Sequence, residues 1–219
     1  SLTWITLDPT EQARYVALTN KLLRNWQAAA SWVDQWFRRA AAAREDYLFL
    51  RGTGAGEPQG ILNSPGRVQV ARNGAGAVAF GDVANMFASM YMESVPMWLA
   101  SQTTIPEIVA LADANGNSIF IAGDARKGLS ASLLGFPISF TGRTPVLGNE
   151  GDLVLFDPAF YVIKDGVGPI IEQSKHVRFI TTAELIVRIM WSVDGRSWVQ
   201  EKLTLEDGAT EVSPIVVLQ

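Results

Sequence analysis

The stretch YLFLRGTGAGEPQGIL, residues 47–62, joins the end of a helical pattern to a loop that a helix cannot cross. Its glycines can supply the left-handed conformation that often ends a helix, and Pro58 lacks the backbone N–H that a continuing helix needs. The stretch therefore predicts a long helix that stops near Leu50 and is followed by a tightly turned glycine-rich segment over residues 52–60.

The helical pattern upstream of this loop runs from about residue 25 to residue 50. Trp32 and Trp36 stand one turn apart on a flank of the predicted helix and need a partner surface. The apolar residues recur at three- and four-residue steps and would form one stripe, consisting of Trp26, Ala29, Ala30, Val33, Phe37, Ala40, Ala41 and Leu48.

Short helices are predicted after the loop. Asp82 is expected to N-cap a second helix that continues to Met92, and Thr104 is expected to cap a third helix that ends near Ala112. Asn115-Gly116 then predicts a tight turn.

Strands are predicted at both ends of the chain. Residues 3–18 suggest two short strands around an Asp8-Pro9 turn, and Asp194-Gly195 and Asp207-Gly208 are typical of hairpin turns. The predicted order is one long helix, then short helices, then strands, and it shows no β-α-β alternation. This order predicts an α+β fold. The other predicted strands cover residues 119–121, 137–140, 153–156, 161–163, 170–171, 184–193, 198–205 and 215–218.

Bulk composition limits the classes of protein that the chain can be. Its 219 residues are 48% hydrophobic and 18% charged, enough for a substantial core in one large domain or two small ones. No apolar run approaches the roughly 18 residues of a transmembrane helix, so no membrane partner is expected. The absence of cysteine excludes disulfides and thiolate metal sites. A formal charge of −4 without a basic cluster predicts only weak, non-specific contact with nucleic acid.

The glycine-rich segment could be taken for a phosphate-binding loop. Such a loop follows a strand, opens a helix and carries a lysine beside serine or threonine. Here the segment follows a helix and has no lysine. A structural cap and turn is the favoured interpretation, and no cofactor is expected.

His176 is the only histidine, so a cluster of histidine metal ligands cannot be built, although a Ser-His-Asp triad needs only one. No Gly-x-Ser-x-Gly nucleophile elbow occurs in the sequence. A small hydrolase that uses His176 with nearby acids is therefore a remote alternative. The sequence predicts no catalytic, cofactor-binding or metal-binding residue.

Two further groups of residues allow a structural and a functional interpretation. Six acids could pair for acid-base catalysis or bind a divalent cation, but each lies beside Gly, Pro or Asn, where carboxylates usually stabilise turns. These acids are Asp113, Asp124, Glu150, Asp152, Asp157 and Asp165. Soft apolar side chains crowd the second helix, where core packing is the default and an adaptable interface is the alternative. They are Met86, Phe87, Met90, Tyr91, Met92, Met97 and Trp98.

Segments along nearly the whole chain resemble, in order, the major capsid proteins of tailed bacteriophages. The element LTNKLL (residues 18–23) and the loop RGTGAGEPQGIL (51–62) are similar to the family's elements on either side of its spine helix. Segments similar to the family's axial domain are MWLAS (97–101), LADANG (111–116), LLGFP (133–137) and GDLVLFD (151–157). Segments similar to the peripheral domain are HVRF (176–179) and DGATEVSPIVVL (207–218).

This resemblance implies an α+β fold of the Hong Kong 97 type. Residues 1–70, with an extended-loop return strand, the spine helix at 25–50 and the glycine-rich loop, would form the first part of the peripheral domain. Residues 75–167 would form the axial domain, and residues 168–219 the second part of the peripheral domain.

The implied function is that of a phage or prophage major capsid protein, which is not an enzyme. Copies would self-assemble as pentamers and hexamers into an icosahedral shell around double-stranded DNA, bound without sequence specificity. Further partners would be a portal, a scaffold or a maturation protease. The protein would assemble in the bacterial host cytoplasm and reside in the virion capsid.

Six residues are the candidate assembly-interface residues: Trp32, Trp36, Met90, Met92, Asn149 and Glu150. An encapsulin-type nanocompartment shell is the alternative to a phage capsid. The glycine-rich loop and the SPIVVL ending (residues 213–218) favour the phage.

Overall fold

The structure, a computed structural model, describes residues 4–19, 26–113, 115–123, 131–174 and 184–219, and it describes side chains in all of these ranges except residues 26–30. The α-helices of the described chain are α1 (Trp26–Arg51), α2 (Phe80–Ala88) and α3 (Ile105–Ala110). Short 3-10 turns cover Ile61–Asn63, Gln102–Thr104 and Pro158–Phe160. None of the described helices combines the length and the apolar character that crossing a membrane requires.

The strands fall into two sheets and one small hairpin. In chain order they are β1 (Thr10–Thr19), β2 (Val68–Val70), β3 (Met97–Ser101), β4 (Phe120–Ile121), β5 (Ser132–Leu133), β6 (Phe136–Thr141), β7 (Leu153–Phe156), β8 (Tyr161–Asp165), β9 (Ile170–Ser174), β10 (Glu184–Ser197), β11 (Leu203–Thr204), β12 (Glu211–Val212) and β13 (Ile215–Leu218). This content agrees with the predicted α+β class.

A four-stranded antiparallel sheet supports the long helix. β10 is its central strand: β1 pairs along one side, while β9 and β8 pair with the first and second parts of the other side. Alternate residues of β10, from Leu185 to Val193, face the stripe of α1 that contains Val33 and Phe37. Burying each such side chain contributes about 1.5–3 kcal/mol, so this stripe fixes α1 on the sheet.

A mixed seven-stranded sheet, in the order β2-β13-β7-β3-β6-β5-β4, forms the second layer. Its central strands β7 and β13 are buried throughout. Because successive side chains of a strand point to opposite faces, Leu155 and Val216 pack in one core with α2 and α3. Val154 and Val217 pack on the other face with Leu50 of α1. A strand that is covered on both faces needs apolar side chains at every position, which explains the continuous apolar sequences LVLF of β7 and IVVL of β13.

The glycine-rich segment closes on itself, in agreement with the predicted cap and turn. The Gly52 N–H donates to the Leu48 carbonyl and the Gly60 N–H to the Gly52 carbonyl, both at 2.8 Å. Gly54 and Gly56 take the left-handed conformation. Gly52 does not, and glycine is required there because a Cβ would lie 2.1 Å from the Pro58 carbonyl oxygen.

Four sequence predictions of local structure were wrong. The strand predicted over residues 198–205 is observed only at Leu203–Thr204 (β11). α2 begins after Ala79 and ends at Ala88, so Asp82 is not its N-cap; the Asp82 carboxylate lies in the first turn and accepts the N–H groups of Ala79 and Asn73. Residues 4–9 form no strand, so the N-terminal arm (residues 4–19) contains the single strand β1 and not the two predicted strands. Asp194-Gly195 lies inside β10, not in a turn.

The Asp194-Gly195 dipeptide continues the strand for two reasons. The Asp194 carboxylate accepts the backbone N–H groups of Asp8 and Gly195, both at 2.8 Å. A Cβ at Gly195 would lie 2.5 Å from the Tyr161 hydroxyl oxygen, so glycine makes room for that ring. Burial raises the pKa of Tyr161, whose hydroxyl donates to the Gln59 carbonyl at 2.8 Å. Long-range contacts therefore override a local turn preference.

Other local predictions were confirmed. α1 lies within one residue of the predicted bounds at each end, and β7 and β13 match. Thr104 stands at the N-cap position of α3, but its hydroxyl donates to the Ser101 carbonyl and does not cap the helix. Gly116 and Gly208 take the left-handed conformation in the turns predicted around them.

The strand β3 was not predicted, because its sequence MWLAS does not alternate regularly between apolar and polar residues.

Two strand pairings join segments that were predicted to lie in different domains. β13, expected with the peripheral domain, pairs with β7 of the predicted axial domain. β8, expected with the axial domain, pairs with β10 of the predicted peripheral domain. The division of the chain into named domains stays a prediction.

A buried ion pair ties the loop after β2 to the loop before β7. The Nη2 atom of Arg72 donates to both carboxylate oxygens of Asp152 at 2.8 Å. The Asp152 side chain is 0% exposed and the Arg72 side chain is 7% exposed. Arg72 also donates to the Ala77 carbonyl at 2.8 Å, and Asp152 accepts the Gly148 N–H at 2.8 Å. The pair is therefore surrounded by further hydrogen bonds, which a buried charge requires.

We expect Arg72→Ala to lower the free energy of unfolding by about 3–5 kcal/mol, because Asp152 would be left buried and without its cation. Urea unfolding followed by circular dichroism measures the change. Arg38→Ala is the control, since it breaks an exposed pair with Asp34 on α1 and should have little effect. Equal effects of the two substitutions would contradict this account of the buried pair.

Gly60→Ala should destabilise the fold by about 1–3 kcal/mol, because its Cβ would lie 2.5–2.6 Å from backbone atoms of Leu50, Arg51 and Gly52, which cannot move aside. Gly74→Ala is the matched control, since nothing lies within 4 Å of its Cβ. Thermal unfolding of both variants tests the difference. A Tm for Gly60→Ala equal to that of the control would show that the loop can open to accept a side chain.

Candidate assembly surfaces

The flank of α1 exposes two indole rings, as its sequence predicted. Trp32 is 60% exposed and Trp36 is 43% exposed, whereas Val33 and Phe37, one position further along, are buried against the sheet. The centroid of the Trp36 ring lies 5.3 Å from the centroid of the buried Phe37 ring, so the two rings are in contact. The two tryptophans therefore present an exposed apolar surface beside the core stripe.

The structure separates the two candidate methionines. Met90 is 2% exposed and packs in the core with Met86 and Trp98, so core packing, the default interpretation, holds for it. Met92 is 62% exposed and stands near Val95, which is 79% exposed. Of the two, only Met92 offers its side chain to another molecule.

Asn149 and Glu150 are both exposed in the loop before β7. The Asn149 side chain donates to the Val146 carbonyl at 3.2 Å. The Glu150 carboxylate accepts from Arg67 at 2.9 Å and from Gln69 at 2.5 Å. This ion pair holds the loop against the segment that leads into β2.

Glu150 lies at the edge of a cleft of about 360 Å³ between the end of α1 and this loop. The side chains that line it are Tyr47, Arg51, Leu62, Asn63, Arg67, Pro145 and Glu150. The sequence predicted Glu150 as a candidate residue but not Arg51 and Arg67, which line the same cleft. No signal in the sequence could have found them, because only the fold brings residue 51 close to residues 67 and 150.

A larger groove of about 630 Å³ lies between the N-terminal arm and the segment after β10. Trp4, Leu7 and Val162 line one part and Trp198 and Leu203 another. Trp4 is 97% exposed and Trp198 is 60% exposed. This groove was not predicted, because its two walls are almost 200 residues apart in the sequence.

Two of the acids that were weighed as catalytic or metal-binding residues, Asp113 and Asp157, accept backbone hydrogen bonds in turns. Asp113 accepts the N–H groups of Asn115 and Asn117, and a hydrogen bond from the Asn117 side chain is the largest cause that lowers the pKa of Asp113. Asp157 accepts the N–H groups of Val95 and Ala159. These contacts agree with the turn interpretation.

Within the described ranges, no group of three His, Asp or Glu side chains could hold a metal ion. Asp124 and His176 lie outside the described residues, so their predicted roles stay predictions.

The chain is similar to known proteins over nearly its whole length. A sequence profile of the phage capsid family matches residues 1–203. A search of curated proteins found no match. Among solved structures, the capsid of an empty GTA particle is similar with a TM-score of 0.74 and 18% identity, over 98% of this chain and 74% of that one.

Two further structures have the same fold at lower TM-scores. A chain of Mycobacterium phage Bobi has a TM-score of 0.63 and 17% identity, over 97% of this chain and 72% of that one. The holo-SrpI encapsulin complex from Synechococcus elongatus has a TM-score of 0.64 and 13% identity, over 96% and 73%. Identities this low show the fold alone, whereas the profile match identifies the family. The chain therefore belongs to the phage capsid family and has the Hong Kong 97-like capsid fold that its sequence segments suggested.

Proposed function

We propose that this chain is a structural subunit of an icosahedral phage or prophage capsid and that it has no enzymatic activity. The observation that carries the proposal is the match of the phage capsid family over residues 1–203. Copies would form pentamers and hexamers that close into a shell around double-stranded DNA. A portal, a scaffold or a maturation protease would be additional partners, and assembly would take place in the host cytoplasm.

Exposed apolar side chains support self-association. The Trp32 and Trp36 flank, Met92 with Val95, and the Trp4–Trp198 groove place large apolar groups at the surface. Aromatic residues and methionine are enriched where protein interfaces form, because they bury large areas of apolar surface. A subunit that meets different neighbours in pentamers and hexamers needs several such contacts, each of modest strength.

The negative net charge of the chain is consistent with a shell that encloses DNA without binding it tightly. Sequence-independent affinity for DNA rises with the number of phosphates that lysine and arginine neutralise. With 22 acids against 18 basic residues, the subunit has no excess of positive charge to bind packaged DNA tightly. This is consistent with contact that has no sequence preference.

We also propose how the named domains map onto the structure. The peripheral domain would be built around α1 and the four-stranded sheet, and the axial domain around α2, α3 and the seven-stranded sheet. The support is that each sheet has its own apolar core. This mapping would move β2 and β13 to the axial domain and β8 to the peripheral domain, because each strand pairs there.

Electron microscopy with light scattering on the purified protein tests the proposed function. We expect closed shells or five- and six-fold capsomers. A monodisperse monomer or dimer under all assembly conditions would contradict the shell function while leaving the family and fold unchanged.

An encapsulin-type compartment is the second candidate, because the SrpI encapsulin complex has the same fold. The two functions differ in what the shell holds. Shells from the native source that contain double-stranded DNA would support the phage capsid, and shells that contain a protein cargo without DNA would support the compartment.

The two methionines provide a matched test of which apolar groups serve assembly. We expect Met92→Ala to leave the unfolding free energy nearly unchanged and to reduce the assembled fraction, because its side chain lies at the surface. Met90→Ala should instead cost about 2–5 kcal/mol of folding stability, because it would leave a cavity in the core. Denaturant unfolding and sedimentation of each variant separate the two effects. Normal assembly of the Met92→Ala variant would show that Met92 does not contribute to the assembly interface.

A further inference from the structure

The cleft at the end of α1 contains a cation that is not neutralised. Arg51 is exposed and makes no ion pair or hydrogen bond through its guanidinium with any residue that the structure describes. Its neighbours are engaged: Arg44 pairs with Glu57 at 3.3 Å, and Arg67 pairs with Glu150 at 2.9 Å. The charges of the two pairs cancel, so the cleft retains the positive charge of Arg51.

The local structure holds this guanidinium in position. The Asn63 side chain donates to the carbonyls of Arg51 and Gly52 at 3.1 and 3.0 Å, which fixes the backbone at the end of α1. Arg44 and Arg51 both lie over the Tyr47 ring, at 5.3 and 5.7 Å from its centroid. Side chains that are already ordered lose less entropy on binding, so the cleft is prepared for an anionic group.

Arg67 is the second cation that lines the cleft. Its Nη2 atom donates to Glu150 at 2.9 Å and its Nε atom is buried, whereas Arg51 is exposed. The Glu150 side chain is 42% exposed, so its ion pair with Arg67 is itself in contact with solvent. An arginine guanidinium has five N–H donors in a planar fork that matches a carboxylate.

We propose that this cleft binds a carboxylate side chain of a second copy of this chain, with Arg51 as its ion-pair partner. The inference rests on the proposed function and assigns Arg51, Tyr47 and Arg67 to the assembly interface beside Glu150. The copies carry an excess of acids, 22 against 18 basic residues, which supplies the complementary charge. One uncompensated cation in a concave cleft suits a single carboxylate, whereas a DNA backbone needs a row of several cations.

Substitution of Arg51 tests the contact. We expect Arg51→Gln to raise the protein concentration needed for half-maximal assembly about two- to fivefold at low salt. The difference from wild type should shrink in about 1 M NaCl, where the Debye length falls to about 3 Å. Arg39→Gln is the matched control, because it removes the same charge from an exposed site on the same helix.

Three outcomes would contradict the proposal. Equal assembly of Arg51→Gln and wild type would show that the cleft is not an interface. Equal losses in Arg51→Gln and Arg39→Gln would show an effect of net charge only. Unchanged assembly with less nucleic acid in the Arg51→Gln shells would assign the cleft to phosphate. In each of these cases wild type assembles, so the proposed function stands; failure of wild type to assemble would contradict both proposals.

Zero-length crosslinking identifies the partner carboxylate. Arg51→Lys keeps the charge and supplies an amine that a carbodiimide can join to a carboxylate in contact with it. We expect mass spectrometry of assembled shells to find position 51 joined to an acidic peptide, and mixed light- and heavy-isotope subunits to show that the link is between copies. Links only within one copy would overturn the proposal.

Discussion

The fold depends on the burial of α1 against two different sheets. Its middle part packs through Val33 and Phe37 on the four-stranded sheet, and its last turn places Leu50 in the core that covers one face of the seven-stranded sheet. One rigid helix thus contacts both layers. The glycine-rich segment must then turn back at once, which explains why Gly52 and Gly60 lie in backbone contact.

Polar groups in the interior stabilise the joins between these layers. Arg72 and Asp152 connect the loops at one edge of the seven-stranded sheet, and Asp194 connects the N-terminal arm to β10. Each of these charged groups has several hydrogen bonds, which offset the cost of burying it. Asp152 and Asp157, two of the acids that could have suggested catalysis, are engaged in this way, so their geometry serves the fold.

The surface differs from the interior in what it leaves without a partner. Trp32, Met92 and Trp198 are each about 60% exposed, although similar residues such as Trp98 and Met90 are buried in the core. Arg51 is likewise a cation without an anion in the described part of the chain. A subunit of a shell is incomplete by itself, because part of its apolar and charged surface is satisfied only by neighbouring copies.

The sequence alone determined the features that depend on local spacing. Period-3.6 apolar residues gave α1 within one residue at each end, continuous apolar runs gave β7 and β13, and ordered segments identified the capsid family. Tertiary structure decided which of Met90 and Met92 is exposed, why Asp194-Gly195 continues a strand, and that Arg51 and Glu150 line the same cleft. These features depend on contacts between residues far apart in the chain, and a local pattern contains the period of an element but not the identity of the surface that packs against it.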